Sequence, residues 1–107
     1  MFYTPQADEL RAFLRDQLAL PHVDAGEGWL IFNLPQAEVA AHPAAEARHT
    51  ISFYCDDLEA TMRELRARGV EFTGEVSEQE WGRLAHFKLP GAGEVELYQP
   101  KYRGPAA

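Results

Sequence analysis

The sequence predicts an α+β fold of two tandem β-α-β-β-β modules, residues about 1–45 and 46–107 of a single domain, whose mixed sheets form an open barrel-like concave cavity with the helices outside. Three observations predict it. Trp29-Leu-Ile-Phe-Asn-Leu-Pro35 returns as Leu84-Ala-His-Phe-Lys-Leu-Pro90, with Phe32/Phe87, Leu34/Leu89 and Pro35/Pro90 in step at an offset of 55. Phe2-Tyr3 precedes an amphipathic helix as Phe53-Tyr54 does, at an offset of 51, and Glu38-Val39 mirrors Glu94-Val95 at an offset of 56. A unit repeated once at this length reads as two stacked supersecondary units. The drift in offset falls on a longer loop around Glu75 to Glu80 and an extra residue in the hairpin Gly91 to Gly93, where loops tolerate insertion.

Each element follows from its periodicity. Between Gln6 and Leu20, the apolar residues Leu10, Phe13, Leu14 and Leu18 fall at helical spacing, leaving Arg11, Arg15 and Asp16 for water. Asp56 or Asp57 can cap a second helix carrying Leu58, Met62 and Leu65, and Gly69 is placed to end it in a left-handed conformation. A strand over Val70 to Val76 follows. Ile51, Phe53 and Cys55 alternate with Thr50, Ser52 and Tyr54, and Val95 and Leu97 with Glu94, Glu96 and Tyr98, so each strand has an apolar and a polar face. The same rule turns Leu30, Phe32 and Leu34, and Ala85, Phe87 and Leu89, toward the helices. Trp29, Ile31 and Asn33, and Leu84, His86 and Lys88, then occupy the opposite face. Gly26-Glu27-Gly28, Pro35-Gln36-Ala37 and Pro90-Gly91-Ala92-Gly93 supply turns.

Composition narrows the function. With 107 residues and 46% hydrophobic content, neither half is expected to fold alone. Ten basic against seventeen acidic residues give a net charge of −7, which repels phosphate backbones and argues against nucleic acid as a partner. The cations are scattered over helix faces apart from Lys101 and Arg103, so no membrane-binding patch emerges, and no membrane span or secretory signal is seen. A cytoplasmic protein is expected. The single cysteine, Cys55, reads as a small buried strand residue, and His22 as a loop or strand-edge residue.

The duplicated β-α-β-β-β plan, Asp57-Leu-Glu-Ala-Thr with Gly69-Val70-Glu71-Phe72 after the helix, and the ending Pro90-x5-Glu96-Leu-Tyr-Gln-Pro100 resemble the vicinal oxygen chelate superfamily. That superfamily contains glyoxalase I, extradiol dioxygenases, fosfomycin-resistance enzymes and bleomycin-resistance proteins. The resemblance covers essentially the whole chain and implies a homodimer and, in the metal enzymes, one divalent ion held by the first and last strands of both units. In this sequence the first-strand position of unit one would fall before Met1, and the last-strand position falls on Ala40 or Ala41. In unit two the spacing from Asp57 puts the ligand position at Thr50, or at His49 if Asp56 is the aligned aspartate, and Glu96 matches the last-strand position. The implied metal set is therefore Glu96 and His49, an incomplete site for Zn²⁺, Mn²⁺, Fe²⁺ or Ni²⁺.

The strand alternation gives a cavity lined by Glu38, His42, His86, Glu94 and Glu96, with Trp29, Tyr54 and Tyr98 as aromatic walls. Imidazoles and carboxylates in that number are also a different candidate metal set. Aromatic walls with carboxylates suit a cationic or aromatic small molecule held by stacking and charge, with no cofactor. Trp81, beside Gly82 in the long loop, is placed to cover the cavity, an interface or the core. The expectation is thus a small-molecule-binding protein without the family's full metal site. The alternative is a divalent-metal-dependent lyase, isomerase or extradiol-type dioxygenase with Glu96 as its catalytic candidate.

Overall fold

The computed structural model describes residues 1–34, 37, 41 and 43–101. A first helix, α1 (Ala7–Ala12), runs into a π-helical turn over Phe13–Gln17. The wider turn is marked by Leu18 N–H donating to the Phe13 carbonyl at 3.1 Å, five residues back. It lets Leu10 and Phe13 sink into the core while Leu14 and Leu18 pack at its margin. Two short strands follow, β1 (His22–Asp24) and β2 (Leu30–Phe32), antiparallel with Val23 opposite Ile31. Their connection carries the expected glycine turn, in which Asp24 Oδ1 accepts from the Gly26 N–H at 2.7 Å.

The second unit has the full expected order: β3 (Ser52–Tyr54), α2 (Leu58–Ala67), β4 (Phe72–Glu78), β5 (Gly82–Leu89) and β6 (Gly93–Pro100). These strands make one mixed sheet in the order β3-β6-β5-β4, with β3 parallel to β6 and the other pairs antiparallel. Asp57 is the N-cap of α2, its side chain accepting from the Ala60 N–H at 3.1 Å. A second free amide of that turn, Leu58 N–H, donates to Gln99 Oε1 at 2.7 Å and ties the helix to the end of β6. Gly69, at φ +88°, ends the helix as its sequence position implies.

The alternation holds from Leu84 to Leu89 in β5 and from Glu94 to Tyr98 in β6. Ala85, Phe87, Leu89, Val95 and Leu97 are buried against Leu58, Met62 and Leu65 of α2 and Leu10 and Phe13 of the first helix. Both helices thus lie on one face of the four-stranded sheet. Phe87 is the largest fully buried side chain, with the Phe53 and Phe72 rings centred 6.0 and 5.7 Å away. Cys55 is buried as expected.

The first unit departs from the repeat. Phe2 and Tyr3 form no strand; Tyr3 is 91% exposed, and Thr4 Oγ1 instead donates to the Gly91 carbonyl at 2.9 Å. Leu30 and Phe32 are half-buried, but Leu34 is exposed, having run past the end of β2. Among the described residues no strand pairing joins the two sheets, so the fold is α+β with two helices and mixed sheets, without a closed barrel. The segment holding Glu38 and His42 lies outside the described residues.

Candidate functional site

Because the helices cover one face of the four-stranded sheet, the other face is left to the polar positions of each strand. Register places these in rows. Ser52 is opposite Glu96, Glu96 opposite His86, and His86 opposite Thr73, so one row crosses all four strands. Tyr54, Tyr98, Leu84 and Ser77 make the next row, and Glu94 and Lys88 lie on the other side. Adjacent rows on one face are two residues apart along a strand, roughly 7 Å.

The central row is held by polar contacts. Ser52 Oγ donates to Glu96 Oε1 at 2.5 Å, and His86 Nε2 lies 3.3 Å from Glu96 Oε2. The Glu96 side chain is 20% exposed and that of His86 36%, so the pair is half-sheltered but open to a ligand. Thr73 Oγ1 reaches diagonally past His86 and donates to Glu94 Oε1 at 3.0 Å. Lys88 Nζ lies 3.8 Å from Glu71 Oε2 on the neighbouring strand end.

The aromatic row is also fixed. Tyr98 O–H donates to the Trp81 carbonyl at 3.2 Å, and the two rings tilt at 57° with centroids 5.7 Å apart. Gly82 makes room for this: a Cβ there would collide with Tyr98 Cε1 and stand 2.7 Å from the Gln99 carbonyl. Tyr54 O–H donates to Asp56 Oδ1 at 2.7 Å, leaving a ring that is 67% exposed. Trp81 too is exposed.

Of the residues expected from sequence, Glu96, His86, Glu94, Tyr54 and Tyr98 come together on this face. Trp29 does not join them: it borders β2 in the hairpin, on a separate sheet, and is exposed. His49 lies three residues before β3, outside any strand, whereas the residue beside Glu96 is Ser52. Sequence reasoning passed over Ser52 and Thr73. Alternation puts Ser52 on the right face, but only the parallel register of β3 and β6 sets it beside Glu96.

The described residues do not assemble a ligand set for the divalent ion that the resemblance implies. Among them no three His, Cys, Asp or Glu side chains converge. At Glu96 the donors amount to one carboxylate and one imidazole, beside a hydroxyl, and a transition-metal site takes three or four protein ligands. The described residues therefore do not fit a resident divalent ion. A shallow cleft of about 400 Å³ lies elsewhere, between the π-helical turn, Gly69 and the β5–β6 turn; Lys88 and Glu71 line it, but no residue of the central or the aromatic row does.

Residues 2–97 match the Glyoxalase/Bleomycin resistance protein/Dioxygenase superfamily, and the chain belongs to it. Solved structures share its fold. TnmS3, an antibiotic binding protein from Streptomyces sp. CB03234, superposes with a TM-score of 0.66 at 22% identity over 92% of this chain and 89% of its own. A lactoylglutathione lyase from Agrobacterium tumefaciens does so with a TM-score of 0.66 at 17% identity, over 92% and 88%. In sequence, 43 residues are 37% identical to the uncharacterized protein YetH of Bacillus subtilis (strain 168), which is 40% of this chain and 36% of YetH. The match thus spans little more than a third of that relative. No helix among the described residues is long and apolar enough to cross a membrane.

Proposed function

We propose that the protein binds a planar aromatic small molecule on the open face of its four-stranded sheet, without chemical change and without a resident metal. The observation that carries this is the juxtaposition of an aromatic row, Tyr54, Tyr98 and Trp81, with a polar row, Ser52, Glu96, His86 and Thr73. An aromatic ring laid on the first row gains stacking and apolar burial, while the second row orients its polar edge. The net charge of −7 favours a neutral or cationic ligand over an anion. That an antibiotic binding protein has this fold supports the reading. The open face becomes the wall of a concave cavity when the first unit, or a second copy in a homodimer, lies over it.

The test is a thermal-shift and Trp-fluorescence screen of planar aromatic compounds, with and without EDTA. Binding that survives EDTA and is lost in Tyr98→Ala is expected. Binding abolished by EDTA, together with a near-stoichiometric metal in the purified protein that disappears in Glu96→Ala, would replace this reading with the metal-dependent enzyme.

A further inference from the structure

We infer that Lys101 is a positioning residue of the proposed binding face: it holds the tip of the β4–β5 hairpin so that the Trp81 indole stays against Tyr98 and completes the aromatic floor. The inference rests on the binding reading above. β4 and β5 are joined through Glu80 and Trp81, which lie between the bonded pair Gln79 and Gly82. Gln79 N–H donates to the Gly82 carbonyl at 2.9 Å, and the returning bond, from Gly82 N–H to the Gln79 carbonyl, is longer at 3.3 Å. Two-residue hairpin loops that match the twist of their strands need positive φ at the first or at both central residues. Among the described non-glycine residues only Ala19 and Glu27 have positive φ, so Glu80 and Trp81 do not form such a loop. Loops without it splay the strands, and the place of Trp81 then depends on contacts from outside the hairpin.

Lys101 supplies those contacts. Its backbone N–H donates to the Trp81 carbonyl at 3.0 Å, which extends the β5–β6 ladder past the pair Gly82 and Pro100. Its Nζ donates to the Gln79 carbonyl at 2.9 Å and lies 2.6 Å from Glu78 Oε1. A single residue thus grips the tip on both sides of Glu80. Glu78 is itself fixed by Arg83 Nε, so the ammonium docks on a carboxylate already in place. Tyr98 O–H reaches the same Trp81 carbonyl at 3.2 Å, and the two rings tilt together above it. The Lys101 ammonium is committed to the hairpin backbone and to Glu78, so it acts on a ligand through Trp81. An aromatic ligand then meets an indole already in position, and less freedom is lost on binding than with a loose tip.

The test titrates indole, quinoline and 2-naphthol by ligand-detected NMR on the full chain, in the wild type, Lys101→Met, Lys101→Arg, Trp81→Ala and the double variant Lys101→Met with Trp81→Ala. Lys101→Met keeps the aliphatic stem and the backbone bonds and removes the ammonium. It should weaken at least one probe about fivefold, the size of ordering one more side chain on binding. The thermal midpoint should fall by only a few degrees, because the ion pair faces water. Lys101→Arg, which can still donate to Gln79 and Glu78, should restore most of the affinity. Without Trp81, Lys101→Met should change affinity by less than about twofold, since its target is gone. In a Trp29→Phe background Trp81 is the sole indole of the chain. Time-resolved fluorescence anisotropy should there show faster local motion of Trp81 in Lys101→Met and not in Lys101→Arg, a readout that loss of global stability does not move. Unchanged affinity for every probe in Lys101→Met, a loss just as large without Trp81, or unchanged indole motion would each overturn the inference and leave the binding reading standing. No binding of any of the three probes to the wild type at millimolar concentration would overturn both.

Discussion

Arg83 clamps Glu59 with both terminal nitrogens, Nη1 donating to Oε2 at 2.7 Å and Nη2 to Oε1, and so fastens the start of β5 to the first turn of α2. Its Nε donates to Glu78 Oε2 at 2.7 Å, and Lys101 Nζ reaches the other oxygen of Glu78 at 2.6 Å. The Arg83 hydrogen bond holds the Glu59 carboxyl below its ordinary value, and Lys101, then Arg83, does the same for Glu78. A carboxylate depressed in the folded state contributes stability above its unfolded pKa and loses it as pH falls through the folded value. Unfolding midpoints should therefore hold from neutrality down to about pH 4 and decline below it. Arg83→Gln should make that acid limb shallower, modestly because the pairs face water. Asp16, lowered by Arg15, loses its contribution in the same direction and remains in the variant. Identical acid limbs in the two proteins would remove the clamp from the account.

Phe87 sits at the centre of the sheet's covered face, 1% exposed and between two other phenylalanines. Truncation to Ala leaves a cavity that side chains fixed on two strands cannot refill. Phe87→Ala should cost about 3–5 kcal/mol in urea unfolding, a large share of the stability of a small domain. A cost under about 1 kcal/mol would mean that the core is far looser than close packing requires.

Much of this was legible in the sequence because one physical rule sufficed. From Leu84 to Leu89 and from Glu94 to Tyr98 the period of two separates the buried from the open residues, and in α2 the cap at Asp57 and the stop at Gly69 are local. The first unit was less legible. Phe2-Tyr3 copies Phe53-Tyr54 in sequence, yet a strand exists only where a neighbour takes its hydrogen bonds, and only the second copy has β6 beside it. The site divides the same way. Face assignments for Glu96, His86 and Tyr98 come from alternation, whereas Ser52 next to Glu96 depends on a register set 44 residues away. The π-helical turn has no signature in the spacing of Leu10, Phe13, Leu14 and Leu18, which suits an ordinary helix equally well.

Gly91 and Gly93 bracket one turn at positive φ, +69° and +78°, but their surroundings differ. A Cβ on Gly91 would stand 2.6 Å from both Thr4 Oγ1 and Gln6 Oε1, while one on Gly93 meets nothing within 4 Å. Gly93→Ala should cost about 1 kcal/mol of backbone strain. Gly91→Ala should cost more, since the segment before α1 must also shift. Equal losses of thermal midpoint would show that this segment does not pack on the turn.

Burial pushes the Cys55 thiol above its ordinary pKa, and the nearby Asp56 and Asp57 charges add to the rise, against a smaller downward pull from a hydrogen bond with Thr61. The thiolate is the reactive form. Cys55 should therefore react with a disulfide reagent at pH 8 far more slowly in the native protein than in urea. Equal rates would indicate an opening of the β3 end that the buried position does not allow.

Gly82 is where the aromatic row can be tested without removing an aromatic residue. The Tyr98 ring lies against its Cα, and the Trp81 ring tilts against the same ring. Gly82→Ala must push the Tyr98 ring away, since the Gln99 carbonyl on the other flank belongs to the paired strand and cannot yield. If the row is the ligand floor, the variant should lose about tenfold or more in affinity for an aromatic ligand, comparable to Trp81→Ala, with EDTA making no difference to either. The control is Trp29→Ala, which removes an exposed indole from the separate hairpin sheet. It should leave affinity unchanged in a monomer. An effect of Trp29→Ala equal to that of Trp81→Ala would instead place the hairpin over the sheet face, supplied by the same chain or by a second copy, and the dependence of affinity on protein concentration would tell those two arrangements apart.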